Sequence, residues 1–227
     1  LKVTGTAAYA AELGDGSEAV GFFIRATVAK GRVVALNEDE LRAMDGVLGI
    51  ITDERLLRNP AQGTANQAPV QDPRDVFYFG QPIALVVAKT FEQARHAAQS
   101  AMVEYETHKA AVSPDDDATM RERPDDKQKN QGSINEVMEN AATSVDVVYT
   151  TPSQNSAAME PHASIAKWEG NNLTVFGSYQ MLKYNRNELA DALGINPENV
   201  RIISHYVGGG FGSKLGLAPE AVGAAIA

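Results

Sequence analysis

Three short stretches have the residue types and spacing to do chemistry. Gly208-Gly-Gly-Phe-Gly212 places four glycines in five positions. Such a run costs backbone entropy, and it lets backbone N–H groups approach a ligand closely. It follows a strand-like run, Val200 to Tyr206, and precedes a helical pattern, so it can cradle an anion or a cofactor oxygen. The alternative is a plain strand-to-helix turn. Two familiar phosphate loops do not fit. A Walker loop counted from Gly208 needs Gly at 213 and Ser or Thr at 215, where the chain has Ser213 and Leu215. A dinucleotide fingerprint needs Gly or Ala at 213 and the first strand of a βαβ unit before it. Met159-Glu-Pro-His162 sets a carboxylate and an imidazole two residues apart, so Glu160 could move protons or His162 could ligate. Equally, a Pro-stiffened loop could use both side chains to satisfy backbone groups. Gln180, at a strand end beside Tyr179, reads on its own as a surface amide.

Much chemistry is excluded. The chain has no Cys, which removes disulfides, thiolate metal sites, iron–sulfur clusters and a Cys nucleophile. His96 and His108 stand alone and no H-E-x-x-H spacing exists, so no protein-ligated metal is expected, and no Ser lies in a G-x-S-x-G elbow. With 29 acidic against 20 basic residues the net charge is −9, and no basic patch offers itself to nucleic acid or an anionic membrane. Apolar runs such as Pro82 to Ala88 fall far short of the roughly 20 residues a membrane span needs. Apolar residues make up 44% of the 227, enough for a packed core. The chain starts at Leu1 and stops within an Ala-rich helical pattern, features expected of a piece of something longer.

The elements that must position these residues fall into two lobes. In the first, strands are expected at Val20 to Val28, Arg32 to Leu36 and Val47 to Thr52, with a short helix at Asn37 to Leu41 capped by Asn37 and Glu40. Residues 57 to 75 read as a loop. The β-branched run ending at Ala88 predicts a strand buried on both faces, reached through a Gly80-Gln-Pro82 turn. Thr90 caps a helix from Phe91 to about Ala101, and Met102 to Glu106 returns as a strand. Residues 113 to 133 have the composition of an acidic linker. The second lobe holds a helix at Ile134 to Ala142, a strand at Val145 to Thr151, a hairpin of Ala163 to Glu169 with Leu173 to Ser178, and a helix from Lys183 to Leu193 closed by Gly194.

Taken in order, several segments resemble the molybdenum-binding large subunit of the xanthine dehydrogenase and aldehyde oxidase family. They are Val3-Thr-Gly-Thr-Ala-Ala-Tyr9, Gly80-Gln-Pro-Ile-Ala84, Val86-Val-Ala-Lys-Thr90, Val103-Glu-Tyr-Glu106, Met159-Glu-Pro-His162, Ser178-Tyr-Gln180, Val200-Arg-Ile-Ile203 and Val207-Gly-Gly-Gly-Phe-Gly-Ser-Lys214. The likeness is greatest to bacterial aldehyde oxidoreductases. It implies an α+β chain: an α/β hammerhead domain over residues 1–110, the linker 111–133, and the truncated start of a mixed α/β molybdopterin-binding domain over 134–227. Gln180 corresponds to the amide that hydrogen-bonds an oxygen ligand of molybdenum, and it is the catalytic candidate. With Gln180, Gly209, Gly210, Phe211 and Gly212 are implied to bind the cofactor, while no residue ligates the metal.

The implied activity is hydroxylation of aldehydes or aromatic heterocycles with oxygen from water on a molybdenum–molybdopterin cofactor, in its cytosine dinucleotide form. Electrons would pass to an iron–sulfur subunit and a flavin (FAD) subunit, and the remaining C-terminal part of the large subunit is a further partner. The compartment implied is the cytoplasm, or the periplasm if a partner subunit carries an export signal. The family's general base is a glutamate from that C-terminal part, so none is expected here, and Glu160 does not match it. Residues 1–227 alone are therefore expected to be inactive and cofactor-free. Purine-oxidising members carry Glu directly after the loop Lys; Leu215 stands there and favours an aldehyde or an apolar aromatic substrate. The rival expectation is a non-catalytic binding module whose glycine loop holds an anion or a partner.

Overall fold

A computed structural model describes residues 1–57, 72, 74–113, 115 and 124–227. The predicted loop at 57–75 and the first half of the acidic linker therefore lie largely outside the described residues. Residues 1–110 and 156–227 form one compact unit, and residues 111–155 form a second.

The first unit is built outward from the apolar run. β1 (Val20–Arg25), β2 (Gly31–Leu36), α1 (Glu38–Arg42), β3 (Val47–Ile51), α2 (Glu54–Leu57), β4 (Asp75–Val76) and β5 (Pro82–Ala88) follow one another, then α3 (Phe91–Gln99) and β6 (Val103–Thr107). All seven residues of β5 are buried, as expected of a strand covered on both faces. It lies between β1 and β3 in an antiparallel sheet, with Phe23 opposite Leu85 and Ile50 opposite Val86. β2, β4 and β6 make a second antiparallel sheet, so the strands flanking α3 belong to different sheets. Thr90 caps α3 as predicted, its hydroxyl accepting the Gln93 N–H at 3.2 Å. Ala94, Ala97 and Ala98 bury the small-residue stripe against the sheet; Ala101 falls beyond the helix end.

Two expectations need correction. Asn37 does not cap α1, because its Oδ1 accepts the Met102 N–H at 2.8 Å and its amide donates to Glu40. A long-range partner has taken the oxygen a cap would use. Val145 to Thr151 forms no strand. These residues are exposed, with Val148 and Tyr149 both 88% accessible, and no neighbouring strand supplies the ladder that β-branched residues need. In this second unit α4 (Ile134–Glu139) is shorter than predicted; Ser133 Oγ accepts the Glu136 N–H at its start.

Residues 156–227 add β7 (Ser164–Glu169), β8 (Asn172–Gly177), α5 (Leu182–Leu193), β9 (Val200–Ile203) and α6 (Pro219–Ile226). β7 and β8 form the predicted hairpin around Gly170, where φ is +61°, and β9 returns parallel to β8 through α5. Parallel neighbours need such a crossover helix. α5 stops at Gly194, whose φ of +69° frees the Ile195 N–H to reach Ala190. Leu189, Leu193, Ala221 and Val222 from the two helices bury Leu173, Val175 and Val200 of the sheet. α6 also packs toward the first lobe: a Cβ built on Gly223 would stand 3.2 Å from the Phe23 ring and 3.3 Å from Leu85. Residues 1–110 and 156–227 thus meet through α6 within one unit, while residues 134–155, expected in the second lobe, belong to the other unit.

Candidate functional site

β8 and β9 end side by side, and the chain leaving each forms the site. Beyond β8 come Ser178, Tyr179 and Gln180; beyond β9 come Tyr206, Val207 and the glycine loop. Tyr179 is buried and its hydroxyl pairs with Ser164 Oγ at 2.9 Å. Burial pushes its phenol up to about 12, so it remains a neutral hydrogen-bonding hydroxyl. Gly177 is required beside it, since a Cβ there would stand 2.1 Å from the Tyr179 ring.

The loop turns through a series of left-handed residues: Gly209 at φ +104°, Phe211 at +49° and Gly212 at +92°. Phe211 is the one non-Gly residue among the described residues with positive φ, a strained conformation of the kind that clusters at functional sites. Its carbonyl accepts Ser156 Oγ at 2.9 Å, and the Gly210 carbonyl accepts both the Ser213 N–H and hydroxyl. Among the described residues the N–H groups of Gly209, Gly210, Phe211 and Gly212 donate to nothing. Four successive free donors in a curled backbone form a concave site for electron-rich atoms.

Gln180 closes the arrangement. Its N–H donates to the Lys214 carbonyl at 2.8 Å, and its Oε1 accepts the Lys214 N–H at 3.2 Å. With the carbonyl end anchored, the exposed Nε2 is left as a donor directed by the loop. Gly210 lies directly against it: a Cβ would come within 2.5 Å of Gln180 Oε1. The predicted residues Gln180, Gly209, Gly210, Phe211 and Gly212 are therefore assembled into one place.

The loop is tied down from behind by a pair that sequence reading did not weigh. The Lys214 side chain is 0% exposed, and its Nζ donates to Glu160 Oε2 at 3.0 Å, to the Glu160 carbonyl at 3.0 Å and to Ser178 Oγ at 3.2 Å. Glu160 Oε2 also accepts the Gly208 N–H at 2.7 Å. Burial is the largest single influence on this carboxyl and works to raise its pKa; the Gly208 N–H and the Lys214 ammonium outweigh it and hold the group below its usual range. Glu160 is thus a carboxylate bound to the loop's frame, and the open question over Met159-Glu-Pro-His162 resolves toward satisfaction of the backbone. His162 is exposed and joins no cluster, and no group of three or more potential metal-binding side chains occurs among the described residues.

A second missed device lies on α5. Asn185 and Glu188 are buried on its apolar face, where Asn185 Nδ2 donates to Glu188 Oε2 at 3.0 Å and to the Leu215 carbonyl at 2.8 Å. Glu188 Oε2 also takes the Leu217 N–H at 2.7 Å. The chain leaving the loop is thereby hung from the helix. The readable signal is a polar pair at i, i+3 inside the Leu189 and Ala192 stripe.

The chain is similar to several known proteins and families. Residues 4–109 match the family model described as the aldehyde oxidase and xanthine dehydrogenase a/b hammerhead domain, and residues 118–227 match the molybdopterin cofactor-binding domain. The molybdenum-binding subunit PaoC of an Escherichia coli K12 aldehyde oxidoreductase is 43% identical over 231 residues, covering 100% of this chain and 31% of the subunit. The large molybdopterin subunit of nicotinate dehydrogenase from Eubacterium barkeri is 29% identical, over 96% of this chain and 54% of its own. Among solved structures, quinoline 2-oxidoreductase from Pseudomonas putida 86 superposes with a TM-score of 0.82 at 22% identity, covering 99% of this chain and 31% of that one. The fold is shared with that enzyme. The chain spans about a third of the length of PaoC, at 31%.

Proposed function

The chain belongs to the aldehyde oxidase and xanthine dehydrogenase family of molybdenum enzymes, and on that premise we propose that it forms the cofactor-gripping front of a molybdenum-binding large subunit. Residues 1–110 are the hammerhead domain, 111–133 a linker, and 134–227 the first part of the cofactor domain. The observation that carries this reading is the row of four unpartnered N–H groups from Gly209 to Gly212, with Gly210 set directly against the anchored Gln180 amide.

The residues present fit a molybdenum–pterin group. Gly210 offers the clearest sign, because the space a Cβ would fill there belongs to Gln180. When bound, the cofactor supplies the oxidising centre that accepts the two electrons leaving the substrate carbon. The chain's own part is binding and orientation. Gln180 Nε2 would donate to an acceptor of the bound group, and the N–H groups of Gly209, Gly210, Phe211 and Gly212 would hold its other acceptors. Donors fixed before the charge arrives stabilise it without reorganising, which is how backbone and amide dipoles aid such chemistry. In the whole protein the cofactor is the cytosine dinucleotide form, electrons leave to iron–sulfur and FAD-containing subunits, and the enzyme works in the cytoplasm. No helix among the described residues is long and apolar enough to cross a membrane.

Leu215, 44% exposed directly after Lys214, favours an aldehyde or an apolar aromatic substrate, because its side chain has no hydrogen bond to offer a polar heterocycle. In the intact enzyme, aromatic aldehydes should be oxidised and xanthine ignored. Leu215→Glu should lower kcat/KM for an apolar aldehyde by about tenfold or more. Steady-state assays with a flavin-independent dye test this; faster turnover of purines than of any aldehyde would overturn the substrate assignment.

A further inference from the structure

Apart from the glycine loop, α5 and β9 enclose an open groove of about 460 Å³ lined by Leu182, Lys183, Arg186, Val200, Arg201 and Ile202. Half of the lining residues are cations and none is an acid, although acids outnumber bases 29 to 20 in the chain. No ion pair among the described residues involves Lys183, Arg186 or Arg201. Arg186 is the most telling of the three. Its Nε is shut off from water and has no hydrogen-bond partner in the structure. A guanidinium donor left without an acceptor in that position is expensive, and native proteins rarely keep one without a use. Lys183 and Arg186 lie three residues apart on one face of α5, and Arg201 comes from the strand the helix packs against. The groove thus brings charges from two elements held in fixed relation by a buried core.

We propose that this groove binds the phosphate or diphosphate group of a small molecule. Three cations suit a ligand group of two or more negative charges, whereas one carboxylate would leave most of them unmatched. The planar fork of arginine suits phosphate oxygens, and Arg186 and Arg201 both line the groove. The first turns of α5 add the partial positive charge of a helix N-terminus, and Lys183 sits there. The apolar members Leu182, Val200 and Ile202 leave room for a flat organic body beside the anion, and the volume lies within the range of small-molecule sites. The residues that carry this proposal are distinct from Gln180 and the glycine loop.

Calorimetric titration of the intact protein with inorganic pyrophosphate tests it. Saturable binding at one site per chain is expected, weakened about tenfold or more by Arg186→Gln and by Arg201→Gln and unchanged by Arg95→Gln on α3. Arg201 is exposed on its strand, so its variant keeps the test valid even if Arg186→Gln fails to fold. Binding that protein stripped of cofactor shows and loaded protein lacks would assign the groove to the cofactor's own phosphate. Equal binding by both would assign it to a free phosphorylated compound. Absence of saturation, or affinity unmoved by both arginine substitutions, would overturn the proposal.

Discussion

Replacing Lys214 by Met is expected to destabilise the protein by about 3–5 kcal/mol, the range seen when one partner of a buried ion pair is removed. The lysine side chain is 0% exposed and its partner's 10%, so the surviving Glu160 carboxylate would stay in a poorly solvated place. One of its oxygens, Oε1, already lacks a hydrogen-bond partner, leaving the Gly208 N–H and the Ser178 hydroxyl to support the charge. The pair is not a source of stability in itself, since taking two charges out of water costs much of what their attraction returns. A double variant, Lys214→Met with Glu160→Gln, should therefore recover part of the loss. Urea unfolding of the four proteins gives the coupling directly. Strict additivity would mean that the pair does not act as a unit.

The same pair sets a pH dependence. Glu160 is held below its ordinary range in the folded protein, so its contribution is complete above the unfolded pKa and is lost as pH falls through the folded value. Unfolding midpoints should therefore decline in acid below about pH 4.5, and the Lys214→Met variant should show a shallower decline. An unchanged acid limb would place the titrating group elsewhere.

The second large effect falls on the cofactor and leaves the fold nearly intact. Gly210→Ala introduces a Cβ at 2.5 Å from Gln180 Oε1 and 2.6 Å from its Cδ, so the amide must move. Gly210 is not in the left-handed region, and an Ala backbone can adopt its conformation. Stability should change by no more than about 1–3 kcal/mol, the usual range for a local overpacking. Molybdenum content or activity of the intact enzyme should fall about 10- to 100-fold, as when a group that orients a metal's ligands is displaced. Metal analysis beside a thermal melt separates the two effects. A variant that keeps its full metal and turnover would show that the Gln180 amide is not a contact of the cofactor.

How much of this could be read before any coordinates were known depends on whether a signal is local. β5 was legible because seven apolar residues in a row admit little else, and α5 because Gly194 marks its end. The glycine loop stood out by composition, and Gln180 only through resemblance to a family, since one amide at a strand end carries no pattern of its own. Lys214 was hidden for a physical reason: lysine is rarely buried, and only the fold brings Glu160 and Ser178 around its ammonium. Val145 to Thr151 misled because β-branched residues report a preference that needs a neighbouring strand to be realised. Asn37 misled in the same way, its oxygen taken by Met102, 65 residues away. Long-range partners decided each case that local pattern could not.

Gln180 and the 209–212 loop are proposed to hold the molybdenum cofactor. Anomalous diffraction at the molybdenum absorption edge, from crystals of the intact protein purified with its cofactor, tests it most directly. A single strong peak per chain is expected beside the Gln180 amide, in front of the loop N–H groups. A peak remote from Gln180, with this loop facing solvent or another ligand, would contradict it.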